Sequence, residues 1–236
     1  MATTDSEMLE ELYSGNPPSP ARAFDIQRAL SKKVIKESRL DRLETVAGAD
    51  LSVIKSMNKL VCGIILFSYP DLTEIERVYT VSDERFPYIP GLLAFREGPA
   101  IIETYGKLRR KPDLLIIDGQ GIAHPRGFGI ACHVGVLLGI PALGIAKKKL
   151  YGTYVEPAEE KGSWSPLLSR EEVVIGSVLR TKDNTKPVFV SPGHKLDTES
   201  ARDIALECAR GYRIPEPTRR ADIYVAGLKK EVSPLA

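Results

Sequence analysis

Leu114-Leu115-Ile116-Ile117-Asp118-Gly119-Gln120-Gly121, continuing as IAHPRGFG from Ile122 to Gly129, is the stretch whose reading decides the fold. Consecutive apolar residues, without alternation, describe a central strand buried on both faces. Asp118 then stands at the carboxyl end of that strand. A carboxylate is costly to bury there unless something positive meets it. The loop behind it carries Gly119, Gly121, Gly127 and Gly129 together with His124 and Arg126. Glycine lets a backbone come close to a ligand. An acid at a strand end, ahead of a basic and glycine-rich loop, points to a metal-assisted reaction on a phosphate.

The rest of the chain arranges itself around this strand. Residues 1–20 end in NPPSP and read as a flexible tail. Ala21 to Leu40 has apolar residues at helical spacing with basic residues between them. Three strand-like runs follow, Leu43 to Val53, Lys59 to Tyr69 and Glu74 to Ser82, with a hairpin turn at Lys55 to Asn58. Leu92 to Leu108 predicts a helix that Gly98-Pro99 kinks or restarts. Beyond the Asp118 strand come a small-residue helix, Ile130 to Leu138, and a short strand, Ala142 to Ala146. Glu156 to Ser169 reads as a polar excursion around the lone Trp164, and Val173 to Arg180 with Pro187 to Val190 as a hairpin. Leu196 to Gly211 predicts a helix with Asp197 or Thr198 as its N-cap, and a last short helix follows Pro217. A meander followed by alternating strand and helix implies an α/β fold with a mixed sheet and flanking helices. We expect a single domain over residues 21–232.

Composition narrows the function by exclusion. The 236 residues are 43% hydrophobic and 27% charged, enough for one sizeable core. A net charge of +2 gives no global electrostatic argument for nucleic acid, so any basic surface must be local. Cys62, Cys132 and Cys208 are widely spread and form no CxxC pair, which favours reduced core thiols over zinc or disulfides. No apolar run reaches membrane-spanning length, and the acidic N-terminus lacks a signal-peptide core. A cytoplasmic, monomeric protein without membrane partners is the expectation.

Two phosphate motifs fail. Gly119-Gln120-Gly121 follows a strand, but His124 stands where a dinucleotide fingerprint needs its third glycine. No Walker lysine follows a glycine loop. The acidic candidates are Asp50, Glu97 and Asp118. An Asp near a strand end commonly forms a turn, and a helical Glu is commonly solvated. If Asp50 and Asp118 occupy adjacent strands, however, both carboxylates converge, and hard cations such as magnesium favour such an oxygen cluster. Of Lys147, Lys148 and Lys149, one is expected to neutralise phosphate charge at the same sheet end. The other two read as a solvated turn. Cys132 and His133 read as packing residues, and His194 as one that orders a loop.

At these residues the chain closely resembles the endonuclease V family. The matching pieces are VAGAD ending at Asp50, PYIPG from Pro87 to Gly91, FREGP around Glu97, and DGQGIAHPRGFG from Asp118. GIAKKKL around Lys147, SPGH ending at His194 and GYRIPEPTRRAD ending at Asp222 match as well. They keep the family's order and cover nearly the whole chain from Ala21 onward. The resemblance implies a ribonuclease H-like fold and a magnesium-dependent endodeoxyribonuclease, with manganese able to substitute. It would cut DNA at the second phosphodiester bond 3′ to deoxyinosine, leaving 3′-hydroxyl and 5′-phosphate ends. By the same resemblance Asp50, Glu97 and Asp118 hold the metal, Asp222 is a further metal-associated residue, and Lys147 meets the phosphate under attack. Tyr88, between Pro87 and Ile89-Pro90-Gly91, matches the family's wedge. Gly119, Gly121 and His124 would line the base pocket, and Arg126 would bind a backbone phosphate. Inosine-containing RNA, branched DNA and other deaminated bases remain alternative substrates. A lesion-binding module without cleavage is a third reading, against which Asp50, Glu97, Asp118 and Lys147 all argue.

Overall fold

The structure, a computed structural model, describes residues 17–233. Residues 1–16 of the expected tail lie outside the described residues. Leu114–Asp118 is strand β4, near the centre of one eight-stranded sheet. The other strands are β1 (Thr45–Ile54), β2 (Lys59–Ser68), β3 (Glu74–Asp83), β5 (Ala142–Ala146), β6 (Trp164–Leu168), β7 (Val174–Leu179) and β8 (Val188–His194). Their spatial order is β3-β2-β1-β4-β5-β8-β7-β6. β1, β2 and β3 form the antiparallel meander, β4 lies parallel to both β1 and β5, and the far edge is antiparallel again. The mixed sheet with flanking helices is the architecture expected.

Burial on both faces explains why β4 reads as an unbroken apolar run. Leu115 and Ile117 face helices α2 (Leu93–Gly106) and α3 (Ile130–Leu138). Leu114 and Ile116 face the opposite layer, shared with helix α4 (Thr198–Glu207). Helix α5 (Glu216–Val232) lies on this second face, burying Pro217, Ala221, Val225 and Leu228 as one stripe. Helix α1 (Pro20–Ser31) closes a third cluster through Ala23, Ile26 and Leu30. Cys132, Cys62 and Cys208 sit one each in the clusters around α1, around α2 and α3, and around α4. Among the described residues no helix is long and apolar enough to cross a membrane.

Four expectations are corrected. Helix α1 stops at Ser31, well short of Leu40. Ile35 instead donates its N–H to His194 Nδ1 at 3.2 Å and accepts from the Lys195 N–H at 2.7 Å, so tertiary anchoring overrides helical spacing. His194 thereby orders a loop, as expected. Helix α4 ends at Glu207, before Gly211, because the Cys208 carbonyl accepts from the Glu216 N–H at 2.9 Å and turns the chain back. Helix α5 has 17 residues and is not short. The polar excursion contains strand β6, an edge strand that turns Ser165 and Leu167 inward and tolerates Pro166.

Candidate active site

Counting by twos places the chemistry. Side chains alternate across a strand, so Asp50 shares a face with Val46 and Gly48. Asp118 likewise shares the face of Leu114 and Ile116, and Lys147 continues that of Leu143 and Ile145. Asp118 and Lys147 therefore leave the carboxyl ends of β4 and β5, while Asp50, midway along the longer β1, stands level with Asp118, and all three lie on the face covered by α5. Asp222 arrives from the second turn of α5. Lys147 Nζ lies 2.7 Å from Asp118 Oδ2 and 3.5 Å from Asp222 Oδ2. Glu97 reaches the same charges from α2, in the other layer.

Electrostatics binds this set together. Burial, then the Asp118 carboxylate, pushes the Asp50 carboxyl up from 3.8 to about 7, with Asp222 adding to the rise and Lys147 opposing it. Glu97 rises from 4.5 to about 7, chiefly by burial, with Asp50 and Asp118 repelling its charge and Arg96 opposing the rise. Burial works against the Lys147 charge, but Asp118, Asp222 and Asp50 together hold the ammonium above its ordinary range. Among the described residues no three such side chains form a ready-made metal-ligating group. The donors are nevertheless all carboxylate oxygens under mutual repulsion, which suits a hard divalent cation.

A pH dependence follows. A carboxyl whose pKa rises on folding binds more protons in the folded than in the unfolded chain, so stability falls as pH rises through that interval. The melting temperature of the metal-free protein is expected to fall between pH 4.5 and about 7. The Asp50→Asn/Glu97→Gln variant should show a flatter profile, measured by thermal denaturation; identical slopes would refute this account.

Beside the carboxylates lies a pocket of about 210 Å³, lined by Tyr88, Ile89, Gly91, Gly119, Gln120, His124 and Leu150 among others. Tyr88 is 67% exposed at the rim, with the Arg96 guanidinium 5.7 Å from its ring. Pro87 is exposed beside it. Burial, then Arg126, lowers His124 to about 4, leaving a neutral imidazole. Arg126, for which a phosphate contact is expected, turns inward to bond Gln27 and the Gly91 carbonyl and covers the Phe24 ring. These contacts position the pocket wall. Gly121, expected to line the pocket, packs against β8, where an added Cβ would stand 2.0 Å from the Pro192 carbonyl oxygen. Its N–H donates to Ser191 Oγ at 2.8 Å.

Gln27, Gln120 and Leu150 line the pocket without having been singled out as site residues. Gln27 is the polar member of the buried stripe of α1 and donates to the Phe128 and Gly91 carbonyls. That signal was present in the sequence. Gln120 donates to the Lys148 carbonyl at 3.1 Å, tying the pocket floor to the lysine turn. Leu150, just beyond the lysines, gives no local signal. His133 and Cys132 are packing residues, as expected, and His133 sits between the Phe95 and Phe128 rings.

Comparison with known proteins agrees along nearly the whole length. A family model described as Endonuclease V matches residues 28–223. The Endonuclease V of Geotalea uraniireducens is 48% identical over 206 residues, 87% of either chain. The crystal structure of Endonuclease V from Streptomyces avermitilis superposes with a TM-score of 0.88 at 36% identity, covering 94% of this chain and 97% of that one. The Ciona intestinalis Endonuclease V, solved in complex with a 24mer DNA containing an inosine followed by a ribo-adenosine, gives 0.80 at 26% identity over 90% of this chain and 98% of its own.

Proposed function

The chain belongs to the endonuclease V family, and from that premise we propose that it is a repair nuclease that recognises deoxyinosine in DNA and hydrolyses the second phosphodiester bond 3′ to it. The ends left are a 3′-hydroxyl and a 5′-phosphate. One observation carries this reading: the end of β4 is shared by two sites. Asp118 faces the carboxylate–lysine cluster, while Gly119 and Gln120 line the adjoining pocket.

Asp50 and Asp118, with Glu97 and Asp222 beside them, are the residues to hold magnesium or manganese. When bound, such a cation polarises the phosphate and eases deprotonation of a water. Lys147, kept protonated by its carboxylate neighbours, is placed to offset charge developing on the phosphate. The pocket takes the extruded base against main chain and the neutral His124, and excludes water from its apolar walls. Tyr88 fills the gap left in the stack, stiffened by Pro87 and Pro90 on either side.

Tyr88→Ala is expected to weaken binding to an inosine duplex by about 1–3 kcal/mol, the scale of one base–aromatic contact. Equal affinities by fluorescence anisotropy would remove the wedge role. The function itself is tested by incubating the protein with magnesium and end-labelled inosine or adenine duplexes and mapping the product ends. Absence of an inosine-dependent cut, or a cut elsewhere, defeats the proposal. The ribo-adenosine beside inosine in the Ciona complex favours a second reading, inosine-containing RNA. Matched DNA and RNA oligonucleotides in the same assay separate the two.

A further inference from the structure

Lys147 is also the first residue of a second cleft, which extends from the end of β5 toward β8. This cleft, about 400 Å³, is lined by Lys147, Lys148, Lys149, Lys186, Arg213 and the aromatic rings of Tyr154 and Phe189. In a chain whose net charge is only +2, five cations around one groove are a local concentration. Among the described residues the Lys148 and Lys186 ammonium groups have no ion-pair, hydrogen-bond or ring partner. The acid at the rim, Glu156, is held by the buried Arg180 at 3.1 Å. Like charges left facing one another raise the energy of the folded chain unless an anion joins them.

The groove is also braced. Arg213, on the connection between α4 and α5, donates to the Lys186, Pro187 and Lys147 carbonyls at 2.7, 2.9 and 2.8 Å. One guanidinium thus fixes both walls, the end of β5 and the start of β8, and leaves the lysine side chains to face outward. The floor is an edge-to-face pair, Tyr154 and Phe189, with centroids 5.4 Å apart, and Lys149 lies 5.6 Å over the Tyr154 ring. Cations along the walls with aromatic rings on the floor are what a nucleic-acid strand requires.

The geometry points to a track for the cleaved strand beyond the cut, with Lys148 and Lys186 on its phosphates. This rests on the proposed function, in which Lys147 meets the phosphate under attack and the lesion lies on the 5′ side of it. A strand leaving the pocket past Lys147 runs onto Lys148 and Lys186. Both are exposed, so their substitution leaves the core intact.

The test uses inosine oligonucleotides with a fixed 5′ arm and 3′ arms of increasing length, bound in calcium in place of magnesium across a salt series. For the parent protein, affinity should grow as the 3′ arm lengthens. The Lys148→Ala/Lys186→Ala variant should lose that gain, and its slope of log affinity against log salt should flatten by about 1.4–1.8, the value for two phosphate contacts. Its preference for inosine over adenine should be unchanged. A variant that matches the parent at every 3′ length, or one whose loss follows the 5′ arm instead, overturns the track. Failure of the parent to prefer inosine would count against the proposed function, and is read from different lanes of the same experiment.

Discussion

Asp118→Asn is expected to lower the rate of inosine-dependent cleavage by about four orders of magnitude while leaving the melting temperature nearly unchanged. The change keeps shape and removes charge at the one carboxylate that touches Lys147 and also repels Asp50 and Glu97. Losing a metal-holding oxygen forfeits several kcal/mol of transition-state stabilisation, and each 1.4 kcal/mol is tenfold in rate. Stability should hold, because the side chain is only partly buried and its removal relieves like-charge repulsion. Single-turnover cleavage and thermal denaturation measured together decide the matter. A variant that cuts within tenfold of the parent would exclude Asp118 from the chemistry. One that melts early would make its role structural.

Gly48→Ala is expected to destabilise the fold by about 3 kcal/mol, a fall of roughly 6–12 °C in melting temperature for a domain of this size. On β1 an added Cβ at Gly48 would stand 2.0 Å from the Pro217 carbonyl oxygen, in the first turn of α5. A clash with backbone cannot be relieved by a rotamer change, so the helix must move, and Asp222 moves with it. Gly227→Ala, further along α5 with nothing within 4 Å of the added Cβ, is the control and should stabilise by about 0.5–1 kcal/mol. Equal melting temperatures for the two variants would show that α5 does not need this close seat on β1.

Much of this was legible before the structure, and the parts that were not share a cause. β4 was readable because burial on both faces leaves its mark on every residue. The meander, α2, α3 and the β7–β8 hairpin carried local signals of the same kind. Asp50 and Asp118 fall on one face by simple alternation, but only once β1 and β4 are known to be neighbours, and that order is a long-range fact. Helix α5 was expected but drawn too short, because a stripe of five buried residues in 17 is a weak local pattern. α1 was overdrawn because Ile35 keeps helical spacing while its hydrogen-bond partners are His194 and Lys195, far along the chain. Gly48 and Gly121 are the clearest instances. Each is a glycine because of a carbonyl that belongs to another element, and neither neighbour is visible from the sequence around it.

The three cysteines acquire a use of their own. Burial pushes the Cys62, Cys132 and Cys208 thiols up to about 12, so in the folded protein they are poor nucleophiles. They sit one to each of three packed clusters, on β2, on α3 and just past α4. Alkylation of each thiol therefore reports the opening of its own layer, and the wild-type chain carries three native clocks of local unfolding without any engineered label.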